Sequence, residues 1–251
     1  MLVADGVSRR FGGLQALADV SFTVAQGAVT AIIGPNGAGK TTLFNVVSGI
    51  LKPSGGRVLF EGTDVTGWPP QRIVALGAAR TFQNIQLFRS LNVVENVMVA
   101  RYCRSRSGVL DAIFGLRQDR EDRRRMLEVA DHWLGWVGIG DKSALMPSEL
   151  PYGDQRRLEI ARALATEPRL IMLDEPTAGM TAVEAQELMA LVRRLTEIGK
   201  TILLIEHNMN VVMAVSDRII VLNFGEKIAE GTPEEIRAHP QVIEAYLGSE
   251  A

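Results

Sequence analysis

Apolar positions along the chain follow two spacings, which predict an alternation of strands and helices. Continuous apolar runs of strand length alternate with segments whose apolar residues recur every three or four positions. Because solid apolar strands are typical of a parallel sheet covered on both faces, the pattern predicts an α/β core. The predicted core strands are Val29–Ile33, Arg169–Leu173, Thr201–Ile205 and Arg218–Asn223, and a helix over Thr181–Ile198 carries Leu188, Leu191, Val192 and Leu195 on its buried stripe.

Two segments depart from this alternation. The N-terminal region has short strands at Leu2–Val7, Leu17–Val24 and Arg57–Phe60 between glycine turns, which predicts an antiparallel β subdomain. A helix is expected from about Lys40 to Gly49, and the stretch 92–165 is mostly helical, with Met126, Ala130, Trp133 and Val137 on one stripe. We therefore expect a single domain over 1–251, with an α/β core of residues 1–85 and 165–251 and an inserted helical subdomain at 86–164.

Composition and charge narrow the class of protein. Hydrophobic residues are 47% and charged residues 22% of the 251-residue chain, as in soluble globular proteins. The net charge of −2 provides no general attraction for nucleic acid or anionic lipid. No apolar run approaches the roughly 18 residues of a membrane span, and the first residues do not read as a signal peptide. We expect a soluble chain that reaches a membrane only through a partner.

Two further features of composition have simple interpretations. Cys103 is the only cysteine, so no internal disulfide forms, which fits a reducing compartment. The densest charge cluster, Arg117–Arg125, could be a nucleic-acid patch or a solvated helix face. Acidic residues interleave with its arginines, which favours the solvated face with ion pairs three or four residues apart.

The sequence GPNGAGKT at Gly34–Thr41 follows a predicted strand and precedes a predicted helix. Its glycines let successive backbone N–H groups turn towards phosphate oxygens, and the helix N-terminus adds a partial positive charge. Lys40 can reach the β- and γ-phosphates, and the Thr41 hydroxyl can ligate Mg²⁺. A plain glycine-rich turn would not need this lysine and threonine in register, so the segment predicts a phosphate-binding loop.

Polar residues follow other predicted strands at the same edge of the sheet. Asp174 and Glu175 come directly after one buried strand, His207 follows another, and Gln83 ends a short strand before the helical insert. Asp174 is predicted to hold Mg²⁺, and Glu175 to polarise the attacking water. A lone histidine is often structural, but here His207 could contact the γ-phosphate or the water. The amide of Gln83 could reach Mg²⁺ or water.

The stretch SELPYGDQRRLEIARALA, residues 148–165, places a glycine turn ahead of a helix but contains no nucleophile, base or metal ligand. By itself it reads as a loop-to-helix junction.

Taken together, these motifs resemble the ATP-binding subunit of ABC transporters over essentially the whole chain. The resemblance implies that Phe11 stacks on adenine, that Gln83 is the Q-loop glutamine, that Leu150–Asp154 is the signature, and that His207 is the switch histidine. It also implies two cassettes joined head to tail, each signature completing the partner's nucleotide site. The residues expected to contact nucleotide are Phe11, Ala16, Gly34, Pro35, Asn36, Gly37, Ala38, Gly39, Lys40, Thr41, Thr42, Tyr152, Gly153 and Asp154.

The same resemblance implies catalytic roles for Glu175, His207, Gln83 and Lys40, and Mg²⁺ ligation by Thr41, Gln83 and Asp174, with ATP and Mg²⁺ as cofactors. Within the family, FGGLQAL, TFQNIQLF, IEHNM and the GTPEEI…YLG ending look most like the ATPases of branched-chain amino acid importers. The implied partners are transmembrane permease subunits, a second cassette and, indirectly, a periplasmic or extracellular substrate-binding protein, but no nucleic acid. The implied location is the cytoplasmic face of the plasma membrane.

Two departures from the family pattern concern the shared site. The family signature is L-S-G-G-Q, whereas this chain has Pro151 and Tyr152 at the second and third positions, so the serine hydroxyl is missing. Thr181 stands where many relatives have aspartate. A heteromeric pair with one unequal site is therefore an open alternative.

Two rival functions belong to other classes. A soluble ABC ATPase acting on nucleic acid or ribosomes would usually carry a tandem second cassette or a long coiled-coil insert, and this chain has neither. A small-molecule phosphotransferase would need an acceptor pocket and would have no use for the signature.

Overall fold

The computed structural model describes residues 1–104 and 117–247, and the chain divides into two units. The first consists of Met1–Arg80 and Arg169–Ala251, and the second of Thr81–Pro168. The boundaries expected from the sequence left Gln83 in the α/β core, whereas Gln83 falls in the second unit.

The first unit contains an antiparallel sheet built from the N-terminal region. Its strands are β1 (Leu2–Phe11), β2 (Leu14–Val24), β4 (Gly55–Phe60) and β5 (Thr63–Asp64), in the order β2-β1-β4-β5. β1 pairs with β2 through several register shifts between Ala4 and Arg10, so the hairpin continues to the Gly12–Gly13 turn instead of ending at Val7 as predicted. Bulges of this kind bend the strand and increase its local twist.

The central sheet of the first unit is mostly parallel. Its order is β10-β9-β3-β8-β7-β6, and only β10 runs antiparallel to its neighbour. The strands are β3 (Val29–Ile33), β6 (Ala78–Arg80), β7 (Leu170–Asp174), β8 (Thr201–Ile205), β9 (Arg218–Asn223) and β10 (Glu226–Gly231). Every residue of β3, β7 and β8 is buried, as the apolar runs predict. Parallel pairing brings the carboxyl ends of these strands to one edge.

Helices flank the central sheet in sequence. They are α1 (Lys40–Val47), α2 (Pro70–Leu76), α6 (Ala182–Glu197), α7 (Met209–Val215), α8 (Pro233–Arg237) and α9 (Pro240–Leu247). The predicted stripe of α6 is buried, with Leu188, Leu191, Val192 and Leu195 each at most 3% exposed. Its first turn is fixed by a capping box between Thr181 and Glu184. Thr181, which departs from the family pattern, therefore has a clear role as the helix N-cap.

The second unit is helical. Its main helices are α3 (Val93–Arg101), α4 (Arg117–Val137) and α5 (Tyr152–Ala165), and each packs against the other two. The buried stripe of α4 is Met126, Ala130, Leu134 and Val137, so the predicted place of Trp133 is taken by Leu134. Trp133 is partly buried and packs edge-on against His132 and Trp136.

The charged segment Arg117–Arg125 opens α4, although the side chains of residues 117–120 lie outside the described part. Arg124 pairs with Glu128 at 3.0 Å on an exposed face, as expected of a solvated helix. Across the described ranges, every helix is too short or too polar to cross a bilayer.

Candidate active site at the carboxyl edge of the central sheet

The loop between β3 and α1 has a backbone that depends on glycine. Gly34 and Gly39 adopt φ angles of 151° and 97°. A Cβ on Gly34 would lie 2.1 Å from the Leu222 carbonyl oxygen, and one on Gly39 would lie 2.7 Å from that of Ala16. The loop is therefore held closely between β9 and β2, and a side chain at either glycine would push it out of place.

Lys40 is the first residue of α1 and is 8% exposed. Its Nζ donates hydrogen bonds to the carbonyl oxygens of Gly34, at 2.6 Å, and Pro35, at 2.9 Å, so the side chain folds back over the loop. Burial lowers the pKa of Lys40, and the negative charge of Glu175 opposes that shift. The lysine thus supplies a poorly hydrated cation beside the loop, where a phosphate would gain most from it.

A cavity of about 540 Å³ adjoins the loop. This volume lies in the usual range for small-molecule sites. It is lined by Phe11, Leu14, Gln15, Ala16, Asn36, Gly37, Ala38, Gly39, Lys40, Thr41, Thr42, Glu175, Phe224 and Gly225. Of the residues predicted to contact nucleotide, Phe11, Ala16 and the loop residues from Asn36 to Thr42 therefore surround one space, and Pro35 lines an adjacent cavity.

Two exposed aromatic residues line this cavity. Phe11 is 43% exposed, and the Arg9 guanidinium lies 4.7 Å from its ring centroid. Phe224 is 87% exposed and has a φ of 45°, a conformation that few non-glycine residues adopt. Sequence reasoning missed Phe224. The signal available was an aromatic residue directly before a glycine at a hairpin turn.

Asp174 ends β7 and is 4% exposed. Its Oδ2 accepts a hydrogen bond from Arg80 Nη2 at 2.7 Å. Arg80 ends β6, and its Nη1 also donates to Asn45 Oδ1 on α1 and to Ser48 Oγ, directly after the end of α1. The arginine therefore links the predicted metal ligand to the helix that follows the phosphate loop. Sequence reasoning missed Arg80, although a cation ending the short strand AAR was a visible signal.

Glu175 has a left-handed backbone, with a φ of 44°, and its N–H donates to the Ile205 carbonyl oxygen at 2.9 Å. His207 Nδ1 lies 3.7 Å from Glu175 Oε2 and 3.4 Å from Glu206 Oε1. The sheet thus brings the predicted water-polarising carboxylate and the predicted switch histidine together. Strain at a carboxylate beside a cavity is a feature that functional sites share.

Glu206 was missed by sequence reasoning and supports this pair. It is fully buried, and its carboxylate accepts hydrogen bonds from the backbone N–H of His207, at 3.0 Å, and from Thr177 Oγ1, at 2.7 Å. A glutamate that ends an apolar strand and directly precedes the histidine was the signal. Glu206 fixes the turn after β8 and hence the position of His207.

The remaining predicted site residues lie in the second unit. Tyr152, Gly153 and Asp154 form the first turn of α5, and no side chain caps this helix at Pro151. Asp154 accepts a hydrogen bond from Lys142 Nζ, so its carboxylate is already paired. Gln83 and Tyr152 line one groove of about 370 Å³ together with Pro147, Ser148 and Gln155. The structure therefore brings Gln83 and the signature turn to the same surface of this unit.

A phosphate loop between a buried strand and a helix, with an acidic pair ending a nearby parallel strand, defines a P-loop nucleoside triphosphatase. A family profile described as "ABC transporter" matches residues 17–178, and one described as "Branched-chain amino acid ATP-binding cassette transporter" matches residues 226–251. The chain belongs to the ABC transporter family of ATP-binding cassettes. It is an ATPase that binds nucleotide, and the predicted family and fold class are confirmed.

Individual proteins and solved structures are similar to this chain over nearly its whole length. The "High-affinity branched-chain amino acid transport ATP-binding protein BraF" of Pseudomonas aeruginosa is 44% identical over 249 residues, covering 99% of this chain and 98% of BraF. A crystal structure of the ADP conformation of an ABC transporter cassette is 34% identical, with a TM-score of 0.86 and coverage of 99% and 98%. A dimeric bacterial ABC transporter cassette is 27% identical, with a TM-score of 0.76 and coverage of 93% and 99%.

Proposed function

We propose that this chain hydrolyses ATP to energise the import of branched-chain amino acids through partner permease subunits. The observation that carries the proposal is the 44% identity to the ATP-binding protein of a branched-chain amino acid transporter over 99% of this chain. The C-terminal segment 226–251, which matches a profile specific to such cassettes, supports the same substrate class.

The donor set at the carboxyl edge of the sheet fits Mg²⁺. The Asp174 carboxylate and the Thr41 hydroxyl provide oxygen ligands of the kind this ion takes beside nucleotide phosphates, and Lys40 adds a cation for the phosphates. In the proposed site Thr41 and Asp174 hold the ion, and Gln83 is a further ligand proposed from the sequence alone. When bound, Mg²⁺ neutralises charge on the β- and γ-phosphates.

Hydrolysis in the proposed site depends on positioning more than on covalent chemistry. Glu175 accepts a hydrogen bond from the attacking water and orients it in line with the γ-phosphate. His207, which Glu206 holds in place through the backbone N–H, donates towards the γ-phosphate or the water. Lys40 stabilises the charge that develops on the transferred phosphoryl group.

A second cassette completes each site in this proposal. The first turn of α5, with Tyr152, Gly153 and Asp154, presents a helix N-terminus to the γ-phosphate bound by the partner subunit. The dimeric cassette among the similar structures supports this arrangement. The second cassette is either another copy of this chain or a related subunit.

The remaining partners follow from the transport role. Permease subunits receive the chain at the inner face of the plasma membrane, and a periplasmic or extracellular binding protein delivers the amino acid to them. No nucleic acid takes part. The surface around Gln83 and the helix that follows it, α3, is the proposed contact for the permease.

Reconstitution tests the proposal. The chain is co-expressed with a candidate permease pair, second cassette and binding protein, and the complex is placed in vesicles with ATP inside. We expect uptake of labelled leucine, isoleucine or valine that requires ATP, that does not occur with the Glu175→Gln variant, and that unlabelled lysine does not compete. ATP hydrolysis stimulated by the permease without uptake of any branched-chain amino acid would contradict the substrate assignment.

A further inference from the structure

The segment that carries Gln83 is held by side chains of α5. Arg156 is 3% exposed and donates from Nη1 to the carbonyl oxygen of Phe82 at 2.9 Å. Its Nη2 donates to the carbonyl oxygen of Gln83 itself. These bonds join residues 73 and 74 positions apart in sequence. A single guanidinium therefore binds the two backbone carbonyl groups on either side of the Gln83 Cα.

Two more residues on the same face of α5 extend this contact. Glu159, which is 5% exposed, pairs with Arg156 at 2.9 Å and accepts a hydrogen bond from the Gln86 N–H at 3.0 Å. Arg162 donates to the Gln86 carbonyl oxygen. The three side chains stand at intervals of three residues, so they face one side of the helix. Together they hold the backbone of residues 82–86, which we call the Gln83 segment.

The same guanidinium also reaches the signature turn. Arg156 Nη2 lies 3.1 Å from the Tyr152 hydroxyl, and the guanidinium carbon lies 5.5 Å from the Tyr152 ring centroid. Tyr152 is one of three residues, with Pro151 and Asp154, that depart from the family signature L-S-G-G-Q. Its hydroxyl thus has a specific partner, and that partner in turn binds the Gln83 carbonyl.

The chemistry of this contact requires arginine. The guanidinium has five N–H donors in a rigid plane, so one side chain can serve the Phe82 and Gln83 carbonyls, the Glu159 carboxylate and the Tyr152 hydroxyl at once. A lysine at this position would keep the charge, but its single ammonium group cannot make all of these contacts at once. Buried ion pairs add little net stability compared with apolar packing, and their best-attested use is to fix one arrangement.

We propose that Arg156 is a positioning residue for Gln83, and that it links the place of the Gln83 backbone to the signature turn through Tyr152. A shift of the first turn of α5 on contact with a nucleotide is then transmitted to the Gln83 segment through one side chain. The inference depends on the proposed function only for the role of Gln83 in hydrolysis. The contact between α5 and the Gln83 segment is tested independently of that role.

The first test is amide hydrogen exchange on the full chain. Arg156→Lys keeps a cation beside Glu159 but loses the paired donors of the guanidinium. The amide exchange rates of residues 82–88 should therefore rise at least tenfold, which corresponds to about 1.4 kcal/mol. Arg157→Lys is the matched control, because Arg157 donates to the Val137 carbonyl oxygen at the end of α4. It should leave exchange at 82–88 unchanged. Tyr152→Phe, which removes one hydroxyl and preserves the helix, should give a smaller rise and serves if Arg156→Lys does not fold.

The second test separates a positioning role from a merely structural one. Arg156→Lys should lower the kcat of ATP hydrolysis several-fold with little change in KM, since the phosphate loop is untouched. In a double variant with Gln83→Ala, the Arg156→Lys change should cost almost nothing more, because both act through the same amide.

The outcomes distinguish the two claims. Unchanged exchange at 82–88 in Arg156→Lys would overturn the proposed contact, and losses of kcat that multiply in the double variant would overturn the route through Gln83. A wild-type complex that hydrolyses no ATP would overturn the proposed function instead, and the exchange comparison would still decide whether Arg156 holds the Gln83 segment.

Discussion

Removing the Arg80 side chain should destabilise the chain through Asp174. The two side chains are 7% and 6% exposed and 2.7 Å apart, so solvent does little to screen them. Arg80→Ala leaves a buried carboxylate without its cation, and Asn45 and Ser48 each lose a hydrogen bond. Breaking a buried pair from one side costs about 3–5 kcal/mol. At roughly 2–4 °C per kcal/mol for a chain of this size, we expect Tm to fall by about 6–20 °C.

Calorimetry of the purified chain measures this shift, and a double variant identifies its cause. Arg80→Met with Asp174→Asn removes both charges and keeps both side-chain volumes. Because no charge is then left buried alone, the double variant should lose clearly less stability than Arg80→Ala. A double variant as unstable as the single one would mean that Arg80 acts by packing, for which its position 5.2 Å from the Phe44 ring centroid offers a route.

The response of the Arg80→Ala variant to Mg²⁺ tests whether Asp174 is a metal ligand. If Asp174 is an Mg²⁺ ligand as proposed, then Mg²⁺ with ATP provides a new cation for the stranded carboxylate. The gain in Tm on adding Mg²⁺ and ATP should therefore be larger for Arg80→Ala than for the wild type. A fall in Tm of less than about 2 °C without ligand would refute the reasoning about the buried pair. Equal gains in both proteins would count against Asp174 as a ligand.

Three further predictions concern the proposed nucleotide sites. Lys40→Ala should weaken ATP binding at equilibrium by roughly tenfold to a hundredfold, because a charge-assisted bond to phosphate is lost; an unchanged Kd would exclude Lys40 from the site. Glu175→Gln should keep ATP affinity but slow hydrolysis by about 10²–10⁴-fold and trap ATP-bound dimers on sizing columns, and normal turnover would rule out Glu175. Gly153→Asp should abolish ATP-driven dimerisation and hydrolysis while sparing monomer affinity, since its carboxylate would face the partner's γ-phosphate; a matching loss in the monomer would contradict a shared site.

The central strands could be predicted from the sequence because their burial is complete. β3 and β8 are apolar or β-branched throughout and every residue in them is buried, so the pattern needs no tertiary information. The edge strands were harder to predict. β10, with the sequence EKIAEG, is half polar because one side faces solvent, and β5 is only two residues long. Each pairs with the preceding strand across a two-residue turn, Glu226 with Asn223 and Thr63 with Phe60, so the pairing is local and it is the polar or very short sequence that conceals the strand.

Distance along the sequence separates the site residues that were predicted from those that were missed. The phosphate loop and its lysine are contiguous in sequence, so spacing alone identifies them. Arg80 and Asp174 are 94 residues apart, and Glu206 is 29 residues from Thr177. These contacts arise only when parallel strands align at one edge. The sequence shows that polar residues end these strands, but it does not show which of them pair with each other.

The altered signature retains the feature that its proposed role requires. Pro151 has an extended backbone, with a φ of −53° and a ψ of 154°, and its carbonyl oxygen accepts the N–H groups of Asp154 and Gln155 at 3.0 Å, so the helix starts without a serine. What the sequence loses at position 151 is a side-chain hydroxyl; the backbone of the first turn and its partial charge remain. The Tyr152 hydroxyl oxygen also accepts a hydrogen bond from Arg156 Nη2. An anion at this turn would therefore be bound by backbone groups, so a change that adds negative charge to the first turn, such as Gly153→Asp, should matter more than the identity of residue 151.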